Sequence, residues 1–334
     1  MKINASAAPS IKAPLAPWSY ESAGLGAFDV LVKITACGIC HSDLHMIDND
    51  WGMTSYPFVP GHEVVGHVIE KGSMVSLKTG ARVGIGWQRS ACLECDDCLR
   101  GNENLCAHST GVITHGHGGF ADHIVMDSRF CFVLPDGVAD ESAGPLMCGG
   151  ITVYSALRHA GMTSGQHIGV IGVGGLGHMA VQFAAKLGNR VTAITSSYDK
   201  AEEAAKLGAH DALIIPRGGQ PAKKPSRPFD IILNTSPAVI DMGMFINFCA
   251  ADATIALVGA PNDPQSFPVF PLLSKRIRIM GSPIGGRAIM RDMLRISDEY
   301  GIVPVVEQFP LSEVNTALGK VRDNTIRYRA VLNV

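Results

Sequence analysis

The stretch Ile168-Gly169-Val170-Ile171-Gly172-Val173-Gly174-Gly175-Leu176-Gly177 decides how this chain is read. An apolar strand runs into G-x-G-x-x-G and an apolar helix follows, the order that a dinucleotide-binding turn requires. Gly172 permits the tight turn and Gly174 lets the backbone approach a pyrophosphate. Gly177 allows the helix to pack close, and Gly175 and Leu176 complete a loop whose free N–H groups meet phosphate charge. A bare glycine-rich turn is the bland reading of such a motif alone, and the flanking strand and helix argue against it.

Working outward, strand-like and helix-like runs alternate: His167–Val173, Leu176–Leu187, Arg190–Thr195, Asp199–Leu207, Asp211–Ile215, then strands at Phe229–Leu233, Thr254–Val258 and Arg276–Met280. That alternation predicts βαβ units on a parallel sheet with helices on both faces. The Pro-rich, basic segment Pro216–Pro228 reads as a solvated connection without function. Before Ile151, Gly, Pro, Cys and His punctuate short apolar runs such as Val30–Ile34 and Val64–Ile69, which reads as a mostly β domain. After Gly285 come a helix through Tyr300 and strands at Ile302–Phe309 and Tyr328–Val334, the last returning to the first domain. The expected division is residues 1–150 with 285–334, and 151–284.

The residue that separates NAD from NADP stands at the end of the second strand, about 20 residues beyond the glycines. Here the chain reads Ala193-Ile194-Thr195-Ser196-Ser197-Tyr198-Asp199-Lys200. An acid would bond the ribose 2′-hydroxyl and repel a 2′-phosphate. Thr195, Ser196, Ser197 and the Lys200 cation instead suit a phosphate, so NADP(H) is the expected cofactor. A Ser/Thr turn that caps the next helix is the plainer reading and is compatible with it. Asp199 would oppose phosphate binding if it pointed inward.

At 334 residues the chain exceeds the size at which one core stops growing, so two domains are expected. Hydrophobic residues make up 46% and charged residues 17%, which excludes a disordered chain. No long apolar run suggests a membrane span. With 28 Lys+Arg against 30 Asp+Glu, the basic footprint of a nucleic-acid binder is missing, and a small-molecule partner is expected. Met1–Pro17 has no apolar core of a secretory signal, so the expected location is cytoplasmic and the nine cysteines are expected as thiols or metal ligands.

Cys92, Cys95, Cys98 and Cys106 follow C-x2-C-x2-C-x7-C, a spacing that folds four thiolates round one tetrahedral Zn2+. An iron–sulfur cluster is the competing reading of closely spaced cysteines. A closed four-thiolate shell has no position for substrate, so that metal would be structural. A second set lies on two loops, Gly38-Ile39-Cys40-His41-Ser42-Asp43-Leu44-His45 and Pro60-Gly61-His62-Glu63-Val64-Val65-Gly66, with Cys148 beyond them. Two Cys and one His suit Zn2+ with a fourth, exchangeable position, and spacing alone leaves open which of these converge.

These residues resemble the zinc-dependent medium-chain alcohol dehydrogenases, cinnamyl-alcohol-dehydrogenase type, which includes bacterial NADPH-dependent aldehyde reductases. The resemblance spans nearly the whole chain. It rests on Cys37–Asp43, Gly61–Gly66 with Gly72 and Val75, Gly84-Ile85-Gly86-Trp87, the Cys92–Cys106 lobe, Ala143–Tyr154 and the glycine loop. It implies a GroES-like irregular β-barrel domain and a Rossmann domain inserted before the C-terminal segment. It also implies a catalytic zinc on Cys40, His62 and Cys148, with Glu63 able to enter, and Asp43 orienting the histidine. Ser42 would touch the reacting oxygen and His45 would end its proton relay. His41 would lie near the pyrophosphate, Thr152 beside the nicotinamide, and Val258-Gly259-Ala260 and Gly281-Ser282-Pro283 along the cofactor. Thr195, Ser196, Ser197 and Lys200 align with binders of the 2′-phosphate.

The implied reaction is hydride transfer between NADP(H) and a primary alcohol/aldehyde pair, zinc polarising the carbonyl and Ser42 supplying the proton through the cofactor ribose and His45. Trp51, Met53 and Trp87, with Ile284, are expected to wall a pocket for medium to bulky aliphatic or aromatic aldehydes, and a homodimer is implied. Cys37, Cys131 and Cys249 read as packing residues. The alternatives are an NAD-dependent polyol dehydrogenase on the same fold and a non-catalytic zinc/dinucleotide-binding sensor.

Overall fold

The computed structural model describes residues 1–334 apart from Arg217 and Asn262, so Arg217 of the Pro216–Pro228 connection lies outside the described residues. The chain divides into two units, Met1–Cys148 with Gly285–Val334, and Gly149–Ile284.

In the second unit the described strands form one six-stranded sheet in the spatial order Asp211–Ile214, Arg190–Thr195, His167–Ile171, Phe229–Asn234, Cys249–Leu257, Arg278–Gly281. All neighbours are parallel. His167–Ile171 is buried at every residue, as a strand covered on both faces must be, and this explains its unbroken apolar run. Chain order reverses beside it: the chain first moves out to Arg190–Thr195 and Asp211–Ile214, then crosses back to Phe229–Asn234. At such a switch point a crevice opens at the carboxyl ends of the strands. Gly172, Thr195, Val258 and Gly281–Pro283 all stand at or just beyond those ends.

In the first unit the described strands of the larger sheet run Val306–Pro310, Arg329–Asn333, Asp29–Ile39, Val64–Lys71, Arg82–Ile85, Cys131–Val133, with His123–Asp127 also paired to Asp29–Ile39. The sheet wraps a core that includes Ile34, Ile39, Phe120, Ile124 and Phe130. Asp29–Ile39 is antiparallel to Val64–Lys71, with Cys37 opposite Val64 and irregular register at Leu31/Val32 and Ile34/Ala36. That register brings the loop leaving Asp29–Ile39 to the loop entering Val64–Lys71. Arg329–Asn333 sets Ala330 opposite Ile39, so Arg329 reaches the same end of the sheet.

Candidate active site and structural metal lobe

Register therefore does what spacing alone could not: it places Cys40 and His62 at one sheet end. Helix His41–Ile47 starts there with Cys40 as its N-cap residue. Asp43 in its first turn is fully buried and saturated. Its Oδ2 accepts from the Cys40 N–H at 2.9 Å, and its Oδ1 accepts from the Gly61 N–H at 2.9 Å and lies 3.0 Å from His62 Nδ1. With Nδ1–H committed to a carboxylate, Nε2 is the nitrogen left to ligate.

Cys148 lies in a π-helical turn, Leu146–Gly150, a wide-turn geometry that recurs at functional sites. Cys40 Sγ is 3.9 Å from Cys148 Sγ, and His62 Nε2 is 3.3 Å from the same sulfur. Two thiolates bound tetrahedrally at about 2.3 Å from zinc stand about 3.8 Å apart, and a sulfur–nitrogen edge is a little shorter. One ligand atom from each of Cys40, His62, Glu63 and Cys148 falls within 4.8 Å of the others. The donor set therefore fits Zn2+. The two sulfurs share a hydrogen bond that holds Cys40 well below the ordinary thiol range and raises Cys148. Burial opposes a charge on His62, but the Asp43 carboxylate outweighs it and raises the imidazole well above its usual value.

Glu63 is fully buried. Burial lifts its pKa to about 7 against the pull of the Arg329 guanidinium. Arg329 Nη2 donates to Glu63 Oε1, whereas Oε2 is buried without a partner. Only glycine fits at position 38, because a Cβ there would stand 2.0 Å from that oxygen. An orphaned carboxylate oxygen beside two sulfurs and an imidazole fits a further donor to the same cation. Arg329 escaped the sequence reading, although one arginine before the apolar run Ala330-Val331-Leu332 is a signal that a buried charge awaits a partner.

Ser42 Oγ lies 3.7 Å from Cys40 Sγ. His45 is partly exposed and its Nδ1 is 2.8 Å from Asp50 Oδ2. Asp50, five residues on, was also missed. Three rings form a wall from there to the metal donors: His45 stacks on Trp51, Trp51 meets Trp87 edge-on at 6.2 Å, and Trp87 stands edge-on to His62 at 5.1 Å. Met53 is exposed. His41 is exposed at the start of its helix.

The cysteine lobe is a separate cluster. Cys92, Cys95, Cys98 and Cys106 each offer a sulfur within 4.8 Å of the others, with Cys92 Sγ 3.9 Å from Cys98 Sγ and 3.5 Å from Cys106 Sγ. These are again the edges of a zinc tetrahedron. Backbone N–H groups of Glu94 and Cys95 draw Cys92 down to about 6, while burial pushes Cys98 up to about 12.

In the second unit, Gly172 has φ +85° and a Cβ on Gly177 would meet Gly172 O at 1.7 Å, whereas a Cβ on Gly174 would meet nothing within 4 Å. The protein needs glycine at 172 and 177 for itself. At 174 the backbone borders open space and nothing in the chain itself demands glycine, which leaves room for a pyrophosphate to approach. Thr195 is buried at its strand end, Ser197 precedes helix Tyr198–Lys206 without making a side-chain cap, and Lys200 is half-buried; Ser196 and Asp199 are exposed. Thr152 lies on helix Ile151–His159. Ser282 N–H donates to Leu257 O and Gly259 N–H to Asn234 O, which fixes the backbone of those two segments; Ala260 and Pro283 are exposed.

Residues 26–136 match the alcohol dehydrogenase GroES-like domain, and residues 175–299 match the zinc-binding dehydrogenase family. The chain is 40% identical over 332 residues to cinnamyl alcohol dehydrogenase 8 of Arabidopsis thaliana, covering 96% of this chain and 92% of that one. It is 39% identical over 332 residues to the aldehyde reductase AdhA of Synechocystis sp., covering 99% and 98%. Among solved structures, it is similar to the cinnamyl alcohol dehydrogenase of Helicobacter pylori complexed with NADP(H), with a TM-score of 0.91, 28% identity, and 100% and 98% of the two chains covered. Likeness of this extent in both sequence and fold leaves one conclusion: the chain belongs to the zinc-dependent medium-chain alcohol dehydrogenases of the cinnamyl-alcohol-dehydrogenase type, which are alcohol/aldehyde oxidoreductases.

Proposed function

We propose that this enzyme reduces medium to bulky aliphatic or aromatic aldehydes to primary alcohols with NADPH, and that Cys40, His62 and Cys148 hold its catalytic zinc. The observation that carries this reading is the mixed sulfur–nitrogen donor set at tetrahedral-edge separations with Glu63 beside it. Bound there, zinc supplies a Lewis acid that polarises a carbonyl, and NADPH supplies the hydride. Cys92, Cys95, Cys98 and Cys106 hold a second, structural zinc.

Asp43 keeps His62 in the tautomer and orientation that ligation needs. Ser42 would give its hydroxyl proton to the product oxygen and regain one from solvent by way of His45, which stands partly exposed. Asp50 holds His45 Nδ1, so Nε2 is the atom free to exchange protons. Trp51 and Trp87, with Met53 at the rim, exclude water and favour apolar substrates. Thr195, Ser196, Ser197 and Lys200 bind the 2′-phosphate; the absence of an acid at Thr195 and the outward position of Asp199 support that assignment. Gly172–Gly177 take the pyrophosphate with His41. Val258–Ala260, Gly281–Pro283 and Thr152 line the rest of the cofactor.

The enzyme works as a cytoplasmic homodimer in this reading. No helix among the described residues is long and apolar enough to cross a membrane.

The test is NADPH oxidation at 340 nm with cinnamaldehyde, benzaldehyde and hexanal, beside NADH and after dialysis against a zinc chelator. Chelator-sensitive turnover that prefers NADPH is expected. Oxidation of sorbitol with NAD+ in preference to aldehyde reduction would favour a polyol dehydrogenase, and a zinc-replete, NADPH-binding protein without turnover on any aldehyde would sink the assignment.

A further inference from the structure

Helix Arg287–Tyr300 opens the returning segment of the first unit without a cap of its own. Its N-cap residue is Gly286 and its first turn carries no acid. Four backbone N–H groups at such an end lack intrahelical partners, and a carboxylate there is favoured by both hydrogen bonding and the helix dipole. The cysteine lobe supplies that carboxylate from 184 residues away: Glu103 Oε2 accepts from the backbone N–H of Arg287 at 2.9 Å. Arg287 Nη1 lies 3.5 Å from Glu103 Oε1, and its guanidinium covers the Phe130 ring. Glu103 is buried. The fit is close, since a Cβ on Gly286 would stand 1.9 Å from Gly101 O and 2.7 Å from Glu103 Oε2.

Glu103 sits in the seven-residue gap between Cys98 and Cys106, on a path of single turns. Gly101 N–H donates to Cys98 O, Asn102 N–H to Asp97 O, and Cys106 N–H to Glu103 O. The lobe's only described helices near it are the four-residue Asp96–Leu99 and the three-residue Glu103–Leu105. Neither is long enough to persist alone. Cys98 and Cys106, whose sulfurs belong to the same four-sulfur cluster, flank Glu103 on either side.

We propose that the four-cysteine metal acts through Glu103 as the N-terminal clamp of helix Arg287–Tyr300, so that metal occupancy of the lobe and order in the first turn of that helix are one coupled equilibrium. This rests on reading the four cysteines as a structural zinc site. Coupling of this kind is reciprocal: the metal protects the first turn, and loss of Glu103 loosens the metal. The clamped helix also packs near a wall of the active site. Met290, one turn into the helix, is buried, and its Cε would lie 3.3 Å from a Cβ on Gly86. Trp87 follows Gly86 and stands edge-on to His62. Glu103 is thus a positioning residue that acts on the start of a helix packed beside Gly86.

The experiment is a thermodynamic cycle on the full-length enzyme with Glu103→Ala, Cys98→Ser and the double variant. Zinc is counted by elemental analysis, and amide exchange is read by mass spectrometry on a peptide covering residues 287–293. Wild type and Glu103→Ala hold two zinc ions, and the Cys98→Ser proteins hold one. Exchange in that peptide is expected to be about 5–30-fold faster in either single variant, the factor that losing one good cap produces. The double variant is expected to exchange no faster than either single. Zinc should leave the lobe of Glu103→Ala for a chelator faster by a similar factor.

Two results overturn the proposal: wild-type exchange in a zinc-depleted lobe, or a double variant whose acceleration is the product of the two singles. Wild type holding a single zinc would instead refute the four-cysteine reading underneath. Should Glu103→Ala not fold, Glu103→Met keeps the volume without the acceptor and is read the same way. Should Cys98→Ser not fold, Cys95→Ser, which removes a half-buried ligand of the same lobe, takes its place.

Discussion

Arg329 and Glu63 show what one buried charge demands of its surroundings. Both are almost entirely enclosed, and each meets the other in a place where desolvation alone would be costly. Removing Arg329 lets Glu63 take up a proton, since burial already lifts it to about 7, whereas removing the Glu63 carboxylate leaves the guanidinium buried and uncompensated. Glu63→Gln is therefore expected to lower stability by about 3–5 kcal/mol, and the double variant Arg329→Met, Glu63→Gln to recover most of that loss. Denaturant unfolding of the four proteins of this cycle measures it; equal losses in Glu63→Gln and the double variant would mean that the uncompensated guanidinium is not the source of the loss. A second residue-scale expectation concerns Lys200. Its ammonium is the one cation among the proposed 2′-phosphate ligands, and a charge-assisted bond of this type carries about 1.5–3 kcal/mol. Lys200→Ala should then raise KM for NADPH by about 10–100-fold and leave KM for NADH nearly unchanged. Equal effects on both cofactors would place Lys200 away from the phosphate.

Helix His41–Ile47 is tied to helix Val314–Arg322 by Asp48, at the C-cap of the first, whose carboxylate takes a bidentate pair of bonds from Arg322 at 2.5 and 3.0 Å. The hydrogen bond from Arg322 outweighs burial and holds Asp48 below the ordinary carboxylate range. A depressed pKa contributes stability that is fully present above the unfolded value of 3.8 and is lost as pH falls through the folded one. The melting-temperature difference between wild type and Asp48→Asn should thus be constant from about pH 5 to 7 and shrink below about pH 4. Acid release of zinc affects both proteins and cancels in the difference; a gap that does not shrink at all between about pH 5 and pH 3 would show that the pair contributes nothing through charge. Elements like these differ in how far the sequence discloses them. Arg190–Thr195 lies where its apolar pattern put it, and His167–Ile171 stops two residues short of the run to Val173 because Gly172 turns the chain. Cys249–Leu257 begins five residues before Thr254, since Cys249 pairs with Phe229 across a register shift that periodicity does not reveal. The four lobe cysteines lie within fifteen residues of one another, so their convergence is a local matter that spacing expresses. Cys40 and Cys148 are 108 residues apart, and Glu63 and Arg329 are 266 apart; only strand register and the π-helical turn bring such pairs together, and neither leaves a mark in local sequence.

On the scale of the whole molecule, the second unit presents an edge that a lone chain would leave open. Arg278–Gly281 is the last strand of its sheet, and no residue of the neighbouring helix Val269–Lys275 is buried. Phe270 is 78% exposed and Leu273 69%, with Val239 and Phe267 lining a shallow groove nearby. An unpaired edge flanked by large exposed apolar side chains invites association with another chain. A second copy related by a two-fold axis satisfies both features at once, because an isologous contact sets the same strand edge and the same apolar helix against their equivalents. The proposed homodimer is then expected to depend on this face. Phe270→Glu with Leu273→Glu would set four carboxylates into the contact, two from each copy, and like charges there cost more than the apolar burial returns. Mass photometry should find wild type at twice the chain mass and the double variant at the chain mass. Both changes lie on exposed positions, so the variant should keep its secondary structure and its two zinc ions. A variant that remains dimeric would move the contact to another face, and a monomeric wild type would remove the dimer altogether.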